Sequence, residues 1–507
     1  MNFERKRKQI LVYCFTQLNV MKRIFIHIIF FLLTMSQLCA QQADSLFAFN
    51  DSARIIKRPW RAAFQTAGLN IGVWAFDRFA MNEDYAKVTL HSIGKNITNG
   101  LVWDNDKFST NLFAHPYHGN LYFNAARSNG MGFWKSVPYS FAGSLMWEMC
   151  AEVEPPAIND FLATSIGGVA LGEVTYRLSS LVLDDSKSGS SRFFRELLGT
   201  LISPSRGLNR LVTGDAWRVR HKYYKYHDYE KLPVKFSATL GERYLADNEH
   251  FFKGSNSPYI EFKVLYGDPL QETTKQPFDY FNFRSTINLV GNQPLIGSVN
   301  LIAKLYGKHL EPVPGHKILV GVFQHFDYYD SERVITGSKN IPYKISEAAA
   351  FGFGMVYQFP ARKANIRQSS FINAILLGGS LTDYYNSIER NYNMGSGFSI
   401  KSNTSIEFKK YGNFELNLQY YRIFTWKGYD GINLDELTNE ERLYLNVQGD
   451  KGNVQLAVIN PMMDIDLGYK IKISAGLYYY LRNTHYSSKP DFLFHTIETR
   501  LGLKYTF

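Results

Sequence analysis

The chain has 507 residues, 45% hydrophobic and 15% aromatic, with 33 Tyr and 38 Phe against 20% charged residues. That length exceeds one ordinary globular domain, and the net charge of +11 contains no Lys/Arg run beyond residue 40 that would point to nucleic acid. No stretch beyond residue 40 supplies about twenty uninterrupted apolar residues, which argues against a helical membrane protein; abundant aromatics at modest hydropathy are what alternating, half lipid-facing strands produce.

Met21-Lys22-Arg23 followed by Ile24 to Leu33 reads as the charged and apolar regions of a secretory signal peptide, with cleavage expected after Ala40. Removing residues 1–40 takes away six basic residues and Glu4, leaving a charge of about +6. Cys14 and Cys39 leave with it, so Cys150 stands alone and no intramolecular disulfide is expected.

Residues 41–230 carry helical periodicity. Pro59 opens a predicted helix over 59–79, with Trp60, Phe64, Ala67, Ile71 and Trp74 spaced by three or four. Further helices are predicted at 84–96, 112–127, 136–153, 158–183 and 191–201, with Pro155-Pro156 separating two of them. Gly167, Gly168 and Gly172 fall inside the longest, where each costs ~1 kcal/mol against Ala, so they predict close packing on another backbone.

Chemistry, if present, belongs to this region. His115 and His118 are three apart on one helical face, and Glu148 and Asp160 are carboxylates near enough in sequence to join them as general acid and base. Against that, Pro116 separates the histidines and the Glu-x-x-His spacing of di-metal bundles is missing, so neither metal nor cofactor is expected. Glu173 and Arg177, four apart, form an intrahelical ion pair; with Arg127 they are read as structural. Arg127-Ser128-Asn129-Gly130 invites comparison with outer-membrane phospholipases, but Ala126 stands where the general base would be, and Asn129-Gly130 is more simply a helix stop. The simplest account has these polar groups capping helices and forming buried pairs.

His115-Pro116-Tyr117-His118-Gly119, Asn124 to Gly130, Trp147-Glu148, Asn159-Asp160 and Gly172-Glu173 with Tyr176 to Ser179 resemble a bacterial domain-of-unknown-function family, number 3943, over about 95–205. The resemblance implies no activity.

From residue 231 the period changes to two. Fourteen strands are predicted between 234 and 507, or twelve if Asn460-Pro461 is a kink within one strand and the count stays even. Long connections at 328–345, 381–393, 426–438 and 485–493 alternate with short ones at Tyr411, Gly449 to Lys451 and 469–471. Tyr420, Tyr421 and Tyr478 to Tyr480 are expected in an interfacial girdle, and Arg284, Arg422 and Glu261 in the lumen. The last strand places Leu501, Leu503, Tyr505 and Phe507 on one face, and Gly502, Tyr505 and Phe507 resemble the C-terminal assembly signal of outer-membrane barrels.

The expected architecture is α+β: a leader (1–40), a helical domain (41–230) and an antiparallel transmembrane barrel (231–507). The expected function is an outer-membrane barrel with a helical plug, gate or scaffold, lying in the periplasm or inside the barrel. Its expected partners are outer-membrane lipid, lipopolysaccharide and the barrel-assembly machinery. The alternatives are an envelope enzyme acting on lipid or lipopolysaccharide through His115, His118, Glu148 and Asp160, and a passive solute channel.

Overall fold

The computed structural model describes residues 56–507 apart from 104–105, 220–231, 248–250, 272–274, 290–292, 335–339, 360, 362–363, 385–390, 409–410, 430–431, 434–435, 439–440 and 442–448. The expected leader lies outside the described residues. The chain divides into Met1–Asp51 with Phe507, and Ser52–Thr506; every helix and strand below belongs to the second unit.

Among the described residues, eight α-helices come first: α1 (Pro59–Phe76), α2 (Leu90–Asn99), α3 (His115–Ser128), α4 (Phe133–Cys150), α5 (Ile158–Leu162), α6 (Gly168–Val182), α7 (Gly189–Ile202) and α8 (Pro204–Thr213). The expected helix at 84–96 begins later, where Thr89 and Ser92 form a capping box. Pro116 falls in the first turn of α3 and does not break the helix. Proline has no N–H to return to the preceding turn, and a wider π turn, Thr110–Ala114, leads into it.

The glycines predicted to pack closely do so. A Cβ on Gly168 would lie 2.5 Å from the Gly119 backbone, and one on Gly119 would lie 1.7 Å from the Thr164 carbonyl oxygen. Small residues let α3 and α6 touch backbone to backbone.

Twelve antiparallel strands then close a barrel: β1 (Val234–Asp247), β2 (Ser255–Tyr266), β3 (Phe281–Asn288), β4 (Ile296–Leu310), β5 (Lys317–Asp330), β6 (Lys344–Phe359), β7 (Ala364–Leu381), β8 (Tyr392–Phe408), β9 (Gly412–Thr425), β10 (Gly452–Gly468), β11 (Ile471–Tyr486) and β12 (Phe492–Thr506). The count is twelve because β10 runs through Pro461, merging two expected strands, and because β9 is the direct neighbour of β10 with no barrel strand between them. The ring cannot donate to the ladder, and Asn460 Nδ2 donates to Leu477 O (2.9 Å) at the gap. The strand expected at 439–449 lies mostly outside the described residues, and β9 pairs directly with β10. Short connections at 311–316, 360–363, 409–411 and 469–470 share one end of the barrel with the start of β1 and the end of β12. Gly449 to Lys451 belongs instead to the long connection 426–451 at the other end.

Ion pairs between strands that are not neighbours fix the inner face: Lys263 of β2 meets Glu415 of β9, Lys401 of β8 meets Asp327 of β5 (2.6 Å), and Arg500 of β12 reaches Glu261 of β2 (3.2 Å). Alternation then assigns the remaining residues. Arg284 and Glu261 point inward as expected. Arg422 points outward, because its neighbour Tyr421 bonds the luminal Asp327. The same parity turns Tyr421, Tyr478 and Tyr480 inward, leaving only Tyr420 and Tyr479 of the expected girdle on the outside.

The helices pack on the outer wall. Phe108, Leu112, Phe123, Val169 and Val174 share one apolar cluster with Val264, Tyr266, Phe281, Leu301, Phe326, Tyr328, Leu377 and Tyr392, all outward by register. Gln324 Nε2 donates to Ile166 O (3.0 Å), and Asn111 Nδ2 donates to Tyr392 Oη (2.7 Å), from the same face. Among the described residues, ion pairs, an aromatic cluster and part of the β2–β3 connection occupy the inside of the barrel.

Gly119→Val should drive α3 from α6 and destabilise the bundle by about 1–3 kcal/mol, the usual range for overpacking. Thermal loss of the helical circular dichroism signal should come earlier, with the heat-modifiable migration of the barrel unchanged.

Candidate functional site

The four predicted acid–base residues lie where α3, α4 and α5 meet: His115 and Asp160 face one another, while Glu148 and His118 turn to other partners. His115, first in α3, has Nε2 3.6 Å from Asp160 Oδ1 in α5, and Asp160 Oδ1 also accepts from Asn159 Nδ2 (2.7 Å). Glu148, 2% exposed, turns Oε2 to accept from the backbone N–H of Ala157 (2.8 Å), the residue that caps α5. His118 packs edge-on against Trp147, and its Nε2 lies 2.9 Å from Tyr122 Oη. Tyr122 donates onward to Asn70 Oδ1, and Asn70 Nδ2 donates to Gly143 O (2.9 Å). That chain ties α1, α3 and α4 together.

Burial, aided by the nearby His115, holds the His118 pKa down at about 3, so the ring is neutral in the fold. A general base needs a basic nitrogen, and desolvation keeps this one weakly basic.

The second constellation is ionic. Glu173, fully buried in α6, accepts from Arg127 Nη2 (3.1 Å) and Arg177 Nε (2.8 Å). Arg177 Nη1 continues to Asp279 (3.1 Å) and Nη2 to Pro277 O (2.9 Å), both in the β2–β3 connection. The intrahelical pair expected from spacing is thus the middle of a chain that joins bundle to barrel. Tyr176 is held between the guanidinium groups of Arg127 (4.5 Å) and Arg206 (4.4 Å).

A third constellation fills the lumen, and sequence reasoning found only Arg284 and Glu261 of it. Arg284 Nη2 lies 3.3 Å from Glu415, which Lys263 also meets. Lys401 binds Asp327 and Glu347, Arg500 Nε binds Glu498 (2.6 Å), and Lys504 binds Asp464 (2.6 Å). Towards the long-connection end, Tyr329, Tyr343, Tyr421, Tyr478 and Tyr480 form an aromatic cluster, and Tyr343 Oη donates to Glu498 (2.9 Å). At the other end, Leu270 and Tyr280 of the β2–β3 connection turn inward onto Leu319, Phe323, Val356 and Phe371. A cavity of about 60 Å³ beside Arg284, Asp327 and Lys401 has room for a few waters. Alternating inward charges were visible in the sequence, but not their partners, because those lie on distant strands.

A crevice of about 530 Å³ opens where Lys107 and Phe108 face Leu295, Tyr328 and the Asp330–Lys344 pair (2.9 Å). None of the four predicted acid–base residues lines it. Among the described residues no group of three metal-ligating side chains is assembled.

In the C-terminal strand, Gly502 faces Gly241 across the β1–β12 seam, where a Cβ on Gly241 would lie 2.7 Å from Gly502 Cα. The backbones there approach too closely for a side chain. Tyr505 is paired with Ala238 and Ile471.

A family model described as a domain of unknown function, DUF3943, matches residues 100–205. No curated protein matches. Among solved structures, the chain is similar to the NanC porin in a rhombohedral crystal form (9% identity, 52% of this chain, 98% of that chain, TM-score 0.27). It is also similar to the outer membrane channel DcaP of Acinetobacter baumannii (11%, 54% and 96%, 0.20) and the outer membrane protein opdK from Pseudomonas aeruginosa (12%, 54% and 99%, 0.18). At such scores the likeness carries no weight for function; the barrel stands on its strand pairing. The class is a closed, twelve-stranded antiparallel β-barrel preceded by helices. This chain is one whose helical region carries a domain of unknown function.

Glu173→Gln should leave Arg127 and Arg177 short of a counter-charge and destabilise the bundle by about 3–5 kcal/mol, read as earlier helical unfolding. The unfolded chain takes up a proton at His118 below its ordinary 6.5, whereas the folded chain does so only near 3. Bundle stability should therefore fall as pH drops from about 6.5 towards 3, and His118→Gln should flatten that slope in pH-dependent melting.

Proposed function

We propose that the protein resides in the outer membrane as a sealed barrel whose wall carries the helical domain as a lateral scaffold. The carrying observation is the filled lumen: ion pairs cross its middle, tyrosines fill one end and the β2–β3 connection fills the other. A closed barrel satisfies every backbone group without an edge, which is the condition for strands to cross lipid. Its outward Leu418, Ile459, Leu501 and Leu503 supply an apolar wall. The wall's expected partners are outer-membrane lipid and lipopolysaccharide, with assembly guided by machinery that reads Gly502, Tyr505 and Phe507. The helical domain is read as standing beside the barrel rather than blocking it.

The channel alternative loses its support in the lumen. The enzyme alternative loses it at His115, His118, Glu148 and Asp160, whose polar atoms serve a cap, a helix tie and a buried relay.

In planar bilayers the purified protein should conduct at baseline, and stable unitary steps from the intact chain would overturn the sealed-barrel reading. Glu173→Gln, which loosens the bundle, should leave that baseline unchanged; a luminal plug would instead release current when loosened.

A further inference from the structure

We propose that the helical domain is itself immersed in the bilayer beside the barrel, with lipid acyl chains as the partner of its outer face. This inference rests on the outer-membrane reading above. In α7, Phe193 and Leu201 are 62% and 66% exposed while Arg192 and Arg195 are 5% exposed. In α8, Val212 is 72% exposed while Arg206 and Arg210 are 7% exposed. A helix on a water-soluble surface sorts its side chains the other way, apolar inward and charged outward. Here the charge is inward and consumed.

Arg192 Nη2 meets Asp185 (2.8 Å) and its Nε meets Glu196 (2.9 Å). Arg210 Nε binds Glu196 (2.9 Å), Arg195 Nη1 donates to Val182 O (2.9 Å), and Arg206 Nη1 donates to Tyr176 O (2.9 Å). That pattern suits hydrocarbon, where an unpaired charge is expensive and a bare apolar side chain is not. The same sorting holds in α1, where Phe64, Ile71 and Phe76 are exposed while Thr66 and Asn70 are buried. Exposed charge in this part of the chain lies at Lys57 and Arg58 before α1, at Glu83, Asp84, Lys87 and Lys95 around α2, at Asp106 and Lys107 before α3, at Lys135 in α4 and at Arg218 after α8, while α7 and α8 themselves expose none.

Continuity with the barrel wall names the occupant. The helices rest on outward residues of β2 through β8, the part of the wall that would otherwise meet lipid. Beyond their footprint the wall continues as Phe353, Ile372, Ile400, Leu418, Leu501 and Leu503, all exposed and apolar. A domain seated on a lipid-facing wall has lipid at its sides. No described helix is long and apolar enough to cross a membrane alone, so the domain enters the bilayer only as a packed body leaning on the barrel.

The test uses the whole chain in nanodiscs of phosphatidylcholine and phosphatidylglycerol. Single cysteines replace Phe64, Phe193, Leu201 or Val212 in a Cys150→Ser background and carry a nitroxide; Leu501→Cys marks the wall and Lys489→Cys a barrel connection. Collisions with oxygen, which partitions into lipid, are compared with those of a water-borne nickel chelate. The helix positions should match Leu501→Cys, with oxygen favoured several-fold, and Lys489→Cys should show the reverse. Nickel access at the helix positions with Leu501→Cys still shielded overturns the immersion alone. Nickel access at Leu501→Cys as well overturns the outer-membrane reading and the immersion with it. Shielding of the helix positions from both reagents overturns the immersion too, because protein rather than lipid would then cover the face. The unsubstituted protein gives an independent measurement: a diazirine-bearing phosphatidylcholine should label peptides of α1, α7 and α8, and labelling confined to barrel strands overturns the proposal.

Discussion

Everything in this molecule depends on the pairing of its first strand with its last. β1 and β12 are matched from Ser237 opposite Thr506 to Asp247 opposite Thr496, and the sheet has no edge once they meet. A closed sheet has two faces, and a strict period of two assigns every residue to one of them. The Gly241–Gly502 pair, too close for any Cβ, sits in that seam. A slip of one residue there would send Arg500 and Glu498 into the surroundings and Leu501 into the lumen.

Both halves of the protein solve the same electrostatic problem in the same way. In the barrel, Arg500, Glu261, Glu498, Lys401 and Asp327 are buried and paired across the interior. In the bundle, Glu173 is shared by two arginines, one of which reaches Asp279 of the barrel. Buried charge survives only when paired, so such networks hold elements in one relative position. The Arg127–Glu173–Arg177–Asp279 chain therefore does for bundle and wall what the luminal pairs do for opposite strands.

Local signals were read well where neighbours in sequence decide the outcome. The change of period along the chain, the short connections at Tyr411 and 469–470, the Glu173–Arg177 spacing and the close packing of Gly168 all followed from nearby residues, whereas Gly449 to Lys451 was placed at the wrong end. Asn460-Pro461 was ambiguous because proline breaks one ladder bond whether a strand turns or continues; the Asn460 side chain made it continue. The tyrosines were misassigned for a different reason. Tyr478, Tyr479 and Tyr480 are consecutive, so parity had to turn at least one inward, and closure turned two. At the predicted acid–base cluster, His115, His118, Glu148 and Asp160 lie near one junction of the helices. Spacing did not reveal that Ala157 N–H and Tyr122 Oη were their partners: Ala157 comes from the cap of α5, and Tyr122, though four residues from His118 in α3, is tied to Asn70 of α1.

The sequence by itself determined that this chain builds helices first and then alternating strands ending on an aromatic stripe, because helix and strand periods are written residue by residue. Only the tertiary structure decided which stripe faces inward, which charges pair across the barrel, and which outward strand residues share an apolar cluster with the helices. Those outcomes depend on which strand meets which and on charges hundreds of residues apart finding one another. The apolar outer residues of α7 and α8 were legible as apolar all along. Their meaning appeared only once the arginines between them were seen to be turned inward and paired.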